Sequence, residues 1–293
     1  MVTGRVVCVG LATRDTVLAV PHHPAADELV FASDVAIAGG GPAATAAVTL
    51  ARLGVETSFV GAVGDDEAGE FIRAGLESAG VDVSELAVVH DRRSPQSAIY
   101  VGPGMRAIAA FPGDMGLPRL TARAERLCRD AAWVHVDQTG YGCVPRDVRL
   151  SIDGGNPVDG LDLAGVAMYG PTEAALERDF GTAQAALAAG AELVVVTRGA
   201  QGCTAYTSDG EAVDAPATPL LEPVSTLGAG DVFHGALLAG FVRELSLVDA
   251  LALANRAAAL SCRALDGRSA IPTREEIDAA PEHHRLGAEK GLT

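Results

Sequence analysis

Hydrophobic positions along the chain follow two rhythms. Short apolar runs rich in valine, "RVVCVGL" (5–11), "TSFVGAVG" (57–64), "AAWVHVD" (131–137), "RLSID" (149–153) and "AELVVVTRG" (191–199), predict buried strands. Helix-length segments lie between them. Residues 39–54 open on glycines and stop at Gly54, and residues 65–80 carry acids in the first turn and end at Gly80. Further helices are predicted over 173–189, 226–244 and 247–265, the last with Ser246 placed before Asp249 as in a capping box. Strands alternating with helices predict an α/β fold with a parallel sheet covered on both faces.

Two regions break that alternation. In residues 16–38 the pieces "VLAV" and "LVFASDVAIA" surround the loop "PHHPAADE", and in residues 97–111 "SAIYV" and "RAIAAF" flank "GPGM" as a β-hairpin. Their one-sided alternation suits a small separate β-sheet, a lid over one end of the main sheet. Only about a dozen residues separate the strands ending at Asp137 and Asp153, which is short for a helical crossover and predicts a mere turn around 145–148. One domain is expected over 1–277, followed by a polar tail over 278–293.

The chain has 293 residues, 48% of them apolar, enough for a sizeable core. No apolar run reaches membrane-spanning length, and the N-terminus lacks the pattern of a signal peptide. Lys and Arg number 22 against 38 Asp and Glu, a formal net charge of −16, which disfavours nucleic acid and anionic membrane surfaces as partners. The five cysteines, Cys8, Cys128, Cys143, Cys203 and Cys262, form no CxxC pair. Zinc is therefore not expected, and the odd count suits reduced thiols in the cytoplasm. Cys8 and Cys262 are expected in the core, and the His22–His23 and His283–His284 pairs on the surface.

Candidate chemistry centres on "STLGAGDVFHGALLAGF" (225–241). Gly228, Ala229 and Gly230 at a helix start offer free N–H groups and the positive helix end, which suit a phosphate or oxyanion. Asp231 follows at once. An acid beside an anion hole can accept a hydroxyl proton while the hole holds a transferring phosphoryl group, and the helix end is expected to help keep it ionised. Gly39–Gly40–Gly41 departs from GxGxxG and from GxxxxGK[ST], so it is neither a dinucleotide fingerprint nor a P-loop. It would instead let a polyhydroxylated ligand approach the backbone. Asp15, in "GLATRD" just after the first strand, stands where doubly wound sheets bind ligands and suits sugar hydroxyls.

These residues resemble the ribokinase-like (PfkB) carbohydrate kinases. The first family signature is similar to "GGGPAATAAVTLARLGVETSFVGAVGDDEAGEFI" (39–72) and the second, DTxGAGD, to the stretch 225–241. "GLATRD", "VVVTRGAQGC" (194–203) and "DGRSAIPT" (266–273) fall in the same order, so the resemblance spans residues 5 to about 275. It implies a Rossmann-like, doubly wound, mostly parallel sheet with a small β-sheet lid, ATP as donor, Mg2+, and a monovalent cation near the anion hole as a further candidate. It also implies Asp231 as catalytic base and Gly228–Gly230 as anion hole. Asp15, Gly40, Gly41 and Thr45 would face the sugar; Thr197, Gly199, Gly202 and Asn255 would surround the nucleotide. The lid is a candidate homodimer surface.

Within that family the sulfofructose kinases share "GGGPAATAAV", "QSAI" and "GDVFHGA", which implies the C1 hydroxyl of a ketose as acceptor. Three positions depart. Ser225 replaces the first Asp of the second signature. In "PTEAAL" (171–176) Thr172 and Ala175 replace both members of the NxxE motif, leaving Glu173 as the candidate metal ligand. Ala110 and Thr139 stand where a sulfonate would need an Asn and an Arg, with Arg106 on the lid hairpin as the nearest alternative cation. The leading expectation is a kinase for a primary hydroxyl of a neutral ketose-like sugar. The alternatives are a 6-deoxy-6-sulfofructose kinase, a nucleoside kinase of the same fold, and a sugar-binding regulator with impaired catalysis. An aromatic content of 4% weighs against stacking of a nucleoside base.

Overall fold

The computed structural model describes residues 4–116, 119–220 and 222–279. The chain opens with β1 (Val6–Val9), β2 (Thr13–Ala19), β3 (Asp34–Gly40), α1 (Pro42–Arg52) and β4 (Thr57–Gly64). It continues with α2 (Glu67–Ser78), β5 (Asp82–Val89), β6 (Gln96–Gly102), β7 (Met105–Phe111), α3 (Ala122–Asp130) and β8 (Trp133–Val136). Then follow β9 (Leu150–Asp153), β10 (Met168–Gly170), α4 (Glu173–Asp179), α5 (Ala183–Ala188), β11 (Leu193–Thr197), β12 (Cys203–Thr207) and β13 (Ala212–Ala215). Three helices close the described chain: α6 (Ala229–Val242), α7 (Leu247–Ser261) and α8 (Arg274–Ala279).

The main sheet has the order β13-β12-β11-β10-β9-β8-β1-β4-β5. From β11 to β5 every pairing is parallel, while β12 and β13 are antiparallel additions. The alternation of side chains along β1 shows why such strands are apolar throughout. Val6 and Cys8 join the core on one face with Phe59, Leu237 and Leu251, whereas Val7 and Val9 join the core on the other with Val134, Val136 and Ile152. Helices α1, α6 and α7 cover the first face, and residues of α3, α4 and α5 the second. Strand order reverses between β1 and β8, so a crevice opens at their carboxyl ends.

The lid is the four-stranded sheet β3-β2-β6-β7. It begins at Thr13, earlier than expected; β6 and β7 form the expected hairpin, and the parallel pairing of β2 with β6 joins it to the antiparallel pair β2–β3 in one mixed sheet. Its inner face carries Val17, Ile99 and Val101, which pack on Leu227 and Leu265 beside the start of α6. Asp15, Ala38, Ser97 and Ala110 share a register row of that sheet. Val35 and Ile37 alternate with these inward positions on β3 and are exposed.

Several sequence expectations need correction. No strand forms over 28–33, and Gly39 and Gly40 end β3 instead of opening a helix. The predicted helix 173–189 is two helices. It breaks at Gly181, whose φ is 76°, and restarts where Thr182 Oγ1 accepts the Ala185 N–H. The short β8–β9 crossover has the expected turn, at residues 146 and 147, and a single 3-10 turn at Tyr141–Cys143 before it. Helix α6 starts three residues later than expected, because Gly228 (φ 74°) breaks the helical path, and α7 stops at Ser261. Residues 278 and 279 belong to α8; the rest of the expected tail, with His283 and His284, lies outside the described residues. Cys8 and Cys262 are buried as expected.

One fully buried carboxylate ties the crevice together. Asp137 Oδ2 accepts the N–H groups of Leu11 (2.8 Å) and Ala43 (3.2 Å), and Oδ1 accepts those of Thr139 (2.8 Å) and Gly140 (3.0 Å). Burial pushes its pKa up, and the four N–H groups pull it back part of the way. Asp137→Ala strips the acceptor from all of these buried donors and is expected to cost about 3–5 kcal/mol of stability. Asp137→Asn, which keeps one oxygen acceptor, should cost less. Urea unfolding of both variants checks the order.

Candidate active site

Helix α6 starts because Gly228 takes a left-handed conformation that an L-residue rarely adopts, turning the chain sharply into the first helical turn. Leu227 N–H is spent on Ser225 Oγ (3.1 Å) and Ala229 N–H turns back on Thr226 O (3.3 Å). The N–H groups of Gly228, Gly230 and Asp231 donate to no acceptor among the described residues. The anion-binding bed is thus Gly228, Gly230 and Asp231, with Ala229 facing back into its own turn. A Cβ on Gly230 would meet open space, and Gly230 has no positive φ. The conformational demand falls on Gly228 instead.

Asp231 is half-exposed by surface area, yet protein groups crowd its carboxyl at the cleft floor. Its pKa is raised well above the ordinary carboxylate value, first by burial and then by the charge of Asp153, with Asp137 adding to the effect. Arg106 and Arg268 pull it back. Burial and the neighbouring carboxylates thus outweigh the help that the helix end is expected to give in keeping this acid ionised. Behind it, Asp153 Oδ1 lies 3.7 Å from His234 Nε2 and accepts Gly155 N–H at 2.8 Å. His234 packs beside His135, their ring centroids 5.6 Å apart, and burial drives the His135 pKa down to about 3.

Asp15 lies within β2 and not in a turn. Its Oδ1 is buried without a partner, and burial raises its pKa. Thr13 and Ser97 stand close enough to offset part of this, though Thr13 Oγ1 itself makes no well-formed hydrogen bond. A Cβ on Gly40 would overlap the Asp15 carboxylate, and one on Gly41 (φ 90°) would overlap Leu11 O. The glycines thus make room for the acid as well as for a ligand. Thr45 does not present a free hydroxyl: it is buried, and its Oγ1 accepts from Arg268 Nε at 3.1 Å. Arg106 is exposed and donates to Thr226 O at 3.2 Å.

Thr197 ends β11, and Gly199 and Gly202, with φ of 54° and 85°, shape the turn into β12. A Cβ on Gly202 would overlap Ala215 O. Asn255 is buried, and its amide nitrogen bonds Ala215 O and Pro216 O, both at 3.1 Å, so it fixes the end of β13. Glu173 is exposed in the first turn of α4, in a groove of about 400 Å³ shared with Glu177, Thr182, Arg198 and Tyr206. Among the described residues no three His, Cys, Asp or Glu side chains gather to hold a metal ion. The donors therefore do not form a protein cage for Mg2+, and buried Ser225 offers no charge to a monovalent cation.

Sequence reasoning missed Asp137, Asp153, His234 and Arg268. Asp137 and Asp153 each end an apolar strand run, which is a usable signal at the carboxyl edge of a parallel sheet. Arg268 lies within the stretch "DGRSAIPT" (266–273), but nothing local marks it as a site residue.

An acid beside an open helix N-terminus, at the switch point of a doubly wound sheet and under a β lid, is an arrangement for phosphoryl transfer to a hydroxyl. The profile of the pfkB family carbohydrate kinases matches residues 3–151 and 171–274, and the chain belongs to that family. It is an ATP-dependent sugar or nucleoside kinase of the ribokinase fold. Ribokinase from Bacillus subtilis (strain 168) is 29% identical to it, over 94% of this chain and 98% of that protein. Arabidopsis thaliana ribokinase, solved with ribose and ATP, superposes with a TM-score of 0.78 at 22% identity, covering 95% and 98% of the two chains. A ribokinase II candidate from E. coli, solved with ATP and Mg2+, gives 0.79 at 22% identity, covering 94% and 98%. Among the described residues no helix is long and apolar enough to cross a membrane.

Gly228→Ala is expected to lose about 1–2 kcal/mol of stability, because it combines φ 74° with a Cβ 3.0 Å from the Gly267 backbone. Gly230→Val, with open space at its Cβ, should melt like the wild type. Thermal denaturation of the pair checks the assignment of the strained position.

Proposed function

We propose that the protein phosphorylates a primary hydroxyl of a ketose-like sugar with ATP, Asp231 acting as general base. One observation carries the reading: Asp231 stands in the first turn of α6 beside unspent N–H groups of Gly228, Gly230 and its own backbone. The acceptor hydroxyl lies between Asp231 and the γ-phosphoryl group. Its proton passes to the Asp231 carboxylate as the new O–P bond forms, and the N–H bed holds the charge on the moving phosphoryl oxygens. Asp15 takes hydroxyl donors of the sugar on its unpartnered Oδ1, while Gly40 and Gly41 let the ring approach the backbone. The nucleotide lies along Thr197, Gly199 and Gly202, against the wall that Asn255 fixes. Glu173 is the residue of this chain that would face a nucleotide-borne Mg2+, and the ion would supply neutralisation of phosphate charge. The exposed outer face of the lid, with Val35 and Ile37, suits pairing with a second copy.

Asp231→Asn keeps the shape and removes the proton acceptor, so kcat is expected to fall by about 10²–10⁴ with a much smaller change in sugar affinity. The raised pKa of Asp231 sets the sign of the pH dependence: the base is lost as pH falls through that raised value. The acid limb of kcat/KM therefore lies well above the ordinary carboxylate range. Gly230→Val should abolish turnover without loss of fold. An ADP-release screen across ketoses, aldoses, sugar acids and nucleosides, run on wild type and both variants, tests the reading. Wild-type turnover in Asp231→Asn would refute it.

A neutral sugar is favoured over a sulfonated one. Ala110 cannot pair with an anion, Thr139 N–H is spent on Asp137, and Asp15, Asp153 and Asp231 crowd the cleft with negative charge. A buried anion without charged partners costs several kcal/mol, or roughly 10²-fold or more in affinity. The kcat/KM for fructose-like sugars should exceed that for 6-deoxy-6-sulfofructose on one preparation. The reverse order would mean that Arg106 or Arg268 serves the sulfonate.

A further inference from the structure

Arg268 reaches into the sugar cleft from the loop between α7 and α8, 223 residues along the chain from Thr45. Its guanidinium makes a fork: Nε donates to Thr45 Oγ1 on α1 (3.1 Å) and Nη2 donates to Gly40 O at the end of lid strand β3 (2.5 Å). Nη1 has no acceptor among the described residues and lies beside Gly39, where any Cβ would overlap it. The loop that carries it is itself fixed. Asp266 Oδ1 accepts the N–H groups of Arg268 and Ser269, both at 2.8 Å, and Gly267 packs against Gly228 at the start of α6. Arg268 therefore touches both elements that frame the sugar, on a loop that touches the anion hole.

The charge has the same reach. The guanidinium interacts with Asp15 on β2, Asp231 on α6 and Asp266 in its own loop. Burial brings its pKa down to about 10, so it stays charged at neutral pH. The groups facing Asp231 are Asp153 at the end of β9, Asp137 after β8, Arg106 on β7 and Arg268. His234, one turn further along α6, faces Asp153. Of the two cations, Arg106 is exposed on a lid edge strand, and Arg268 is the one held by hydrogen bonds to both β3 and α1.

We propose that Arg268 is a positioning residue of this site: its fork holds the end of lid strand β3 and Thr45 of α1 in one arrangement, and its charge, acting with the larger effect of Arg106, offsets part of what burial does to the base Asp231. The proposal rests on the base role of Asp231 proposed above. It also gives a reason for a cation in a cleft that selects a neutral sugar. The charge answers the protein's own carboxylates, and the fork sets the backbone against which the sugar lies.

Two substitutions separate the halves. Arg268→Lys keeps the charge and loses the planar fork; Arg268→Gln loses both. The Asp231 carboxyl is titrated by ¹³C NMR on the full-length chain, its signal assigned by loss in Asp231→Asn. The expected result is a midpoint moved up in Arg268→Gln and held near wild type in Arg268→Lys. Amide exchange at the end of β3 should quicken in both. In turnover the acid limb of kcat/KM should move to higher pH only in Arg268→Gln. The sugar KM should rise in both, because the fork that sets Gly40 and Thr45 against the sugar is lost.

An Asp231 midpoint unchanged in Arg268→Gln overturns the proposal, as does unchanged exchange at β3 in both variants. Should Arg268→Gln not fold, the ammonium introduced by Arg268→Lys is titrated by ¹⁵N NMR. Adding Asp231→Asn must then lower its midpoint, and no change overturns the proposal. Neither titration needs a substrate. The kinase reading fails separately, if wild type passes no phosphoryl group to any sugar or nucleoside tested.

Discussion

The buried carboxylate of Asp137 is the constraint on which the rest of the site depends. A single side chain satisfies N–H groups from three separate places: the loop after β1, the first turn of α1 and the loop after β8. Backbone donors at the ends of parallel strands and at a helix start have no partner of their own and are costly to bury unpaired. By accepting four of them, Asp137 ties together the backbone at the floor of the crevice. It also fixes where α1 begins, hence where β3 must stop, and hence the position of Gly40 against Asp15. The close approach of α6 to α1, where a Cβ on Gly235 would stand 2.6 Å from Ala46 O, carries that placement across to the anion hole.

The cleft then faces an electrostatic problem. Asp137, Asp153 and Asp231 gather at the ends of β8 and β9 and the start of α6, and the charges of Asp153 and Asp137 make Asp231 harder to ionise; burial raises Asp15 and Asp137 as well. Desolvation raises Asp231, which suits a base that must hold a proton for part of the cycle, but unchecked it would leave the acid neutral. The fold answers with two arginines, from the lid and from the loop after α7, and with the positive end of α6. Both arginines come from elements that also shape the sugar cleft, so the geometry of the lid and the basicity of the acid are set together.

Much of this was legible beforehand. The strands β1, β4, β8, β9 and β11 were legible because a parallel strand covered on both faces is apolar at every position. The lid was legible from one-sided alternation, and Asp231 with its glycines from a motif whose chemistry lies within one helical turn. The antiparallel edge was not. "CTAYT" and "AVDA" in β12 and β13 are short and mix polar with apolar residues, as edge positions allow. The break between α4 and α5 was hidden because Gly181 and the Thr182 cap sit in a stretch whose composition is helical throughout.

What the sequence determined by itself is what depends on neighbouring residues: which segments are strands or helices, that two kinds of sheet coexist, and that bare N–H groups precede an acid at 228–231. What only the tertiary structure decided is which distant groups meet. Asp137 meets Leu11 and Ala43 across 126 and 94 residues, and Arg268 meets Thr45 and Gly40 across 223 and 228. No periodicity or local propensity encodes such pairings. They exist because packing brings strand ends, helix starts and one late loop to the same edge of the sheet, where buried charges and unpaired N–H groups must find each other or destabilise the fold.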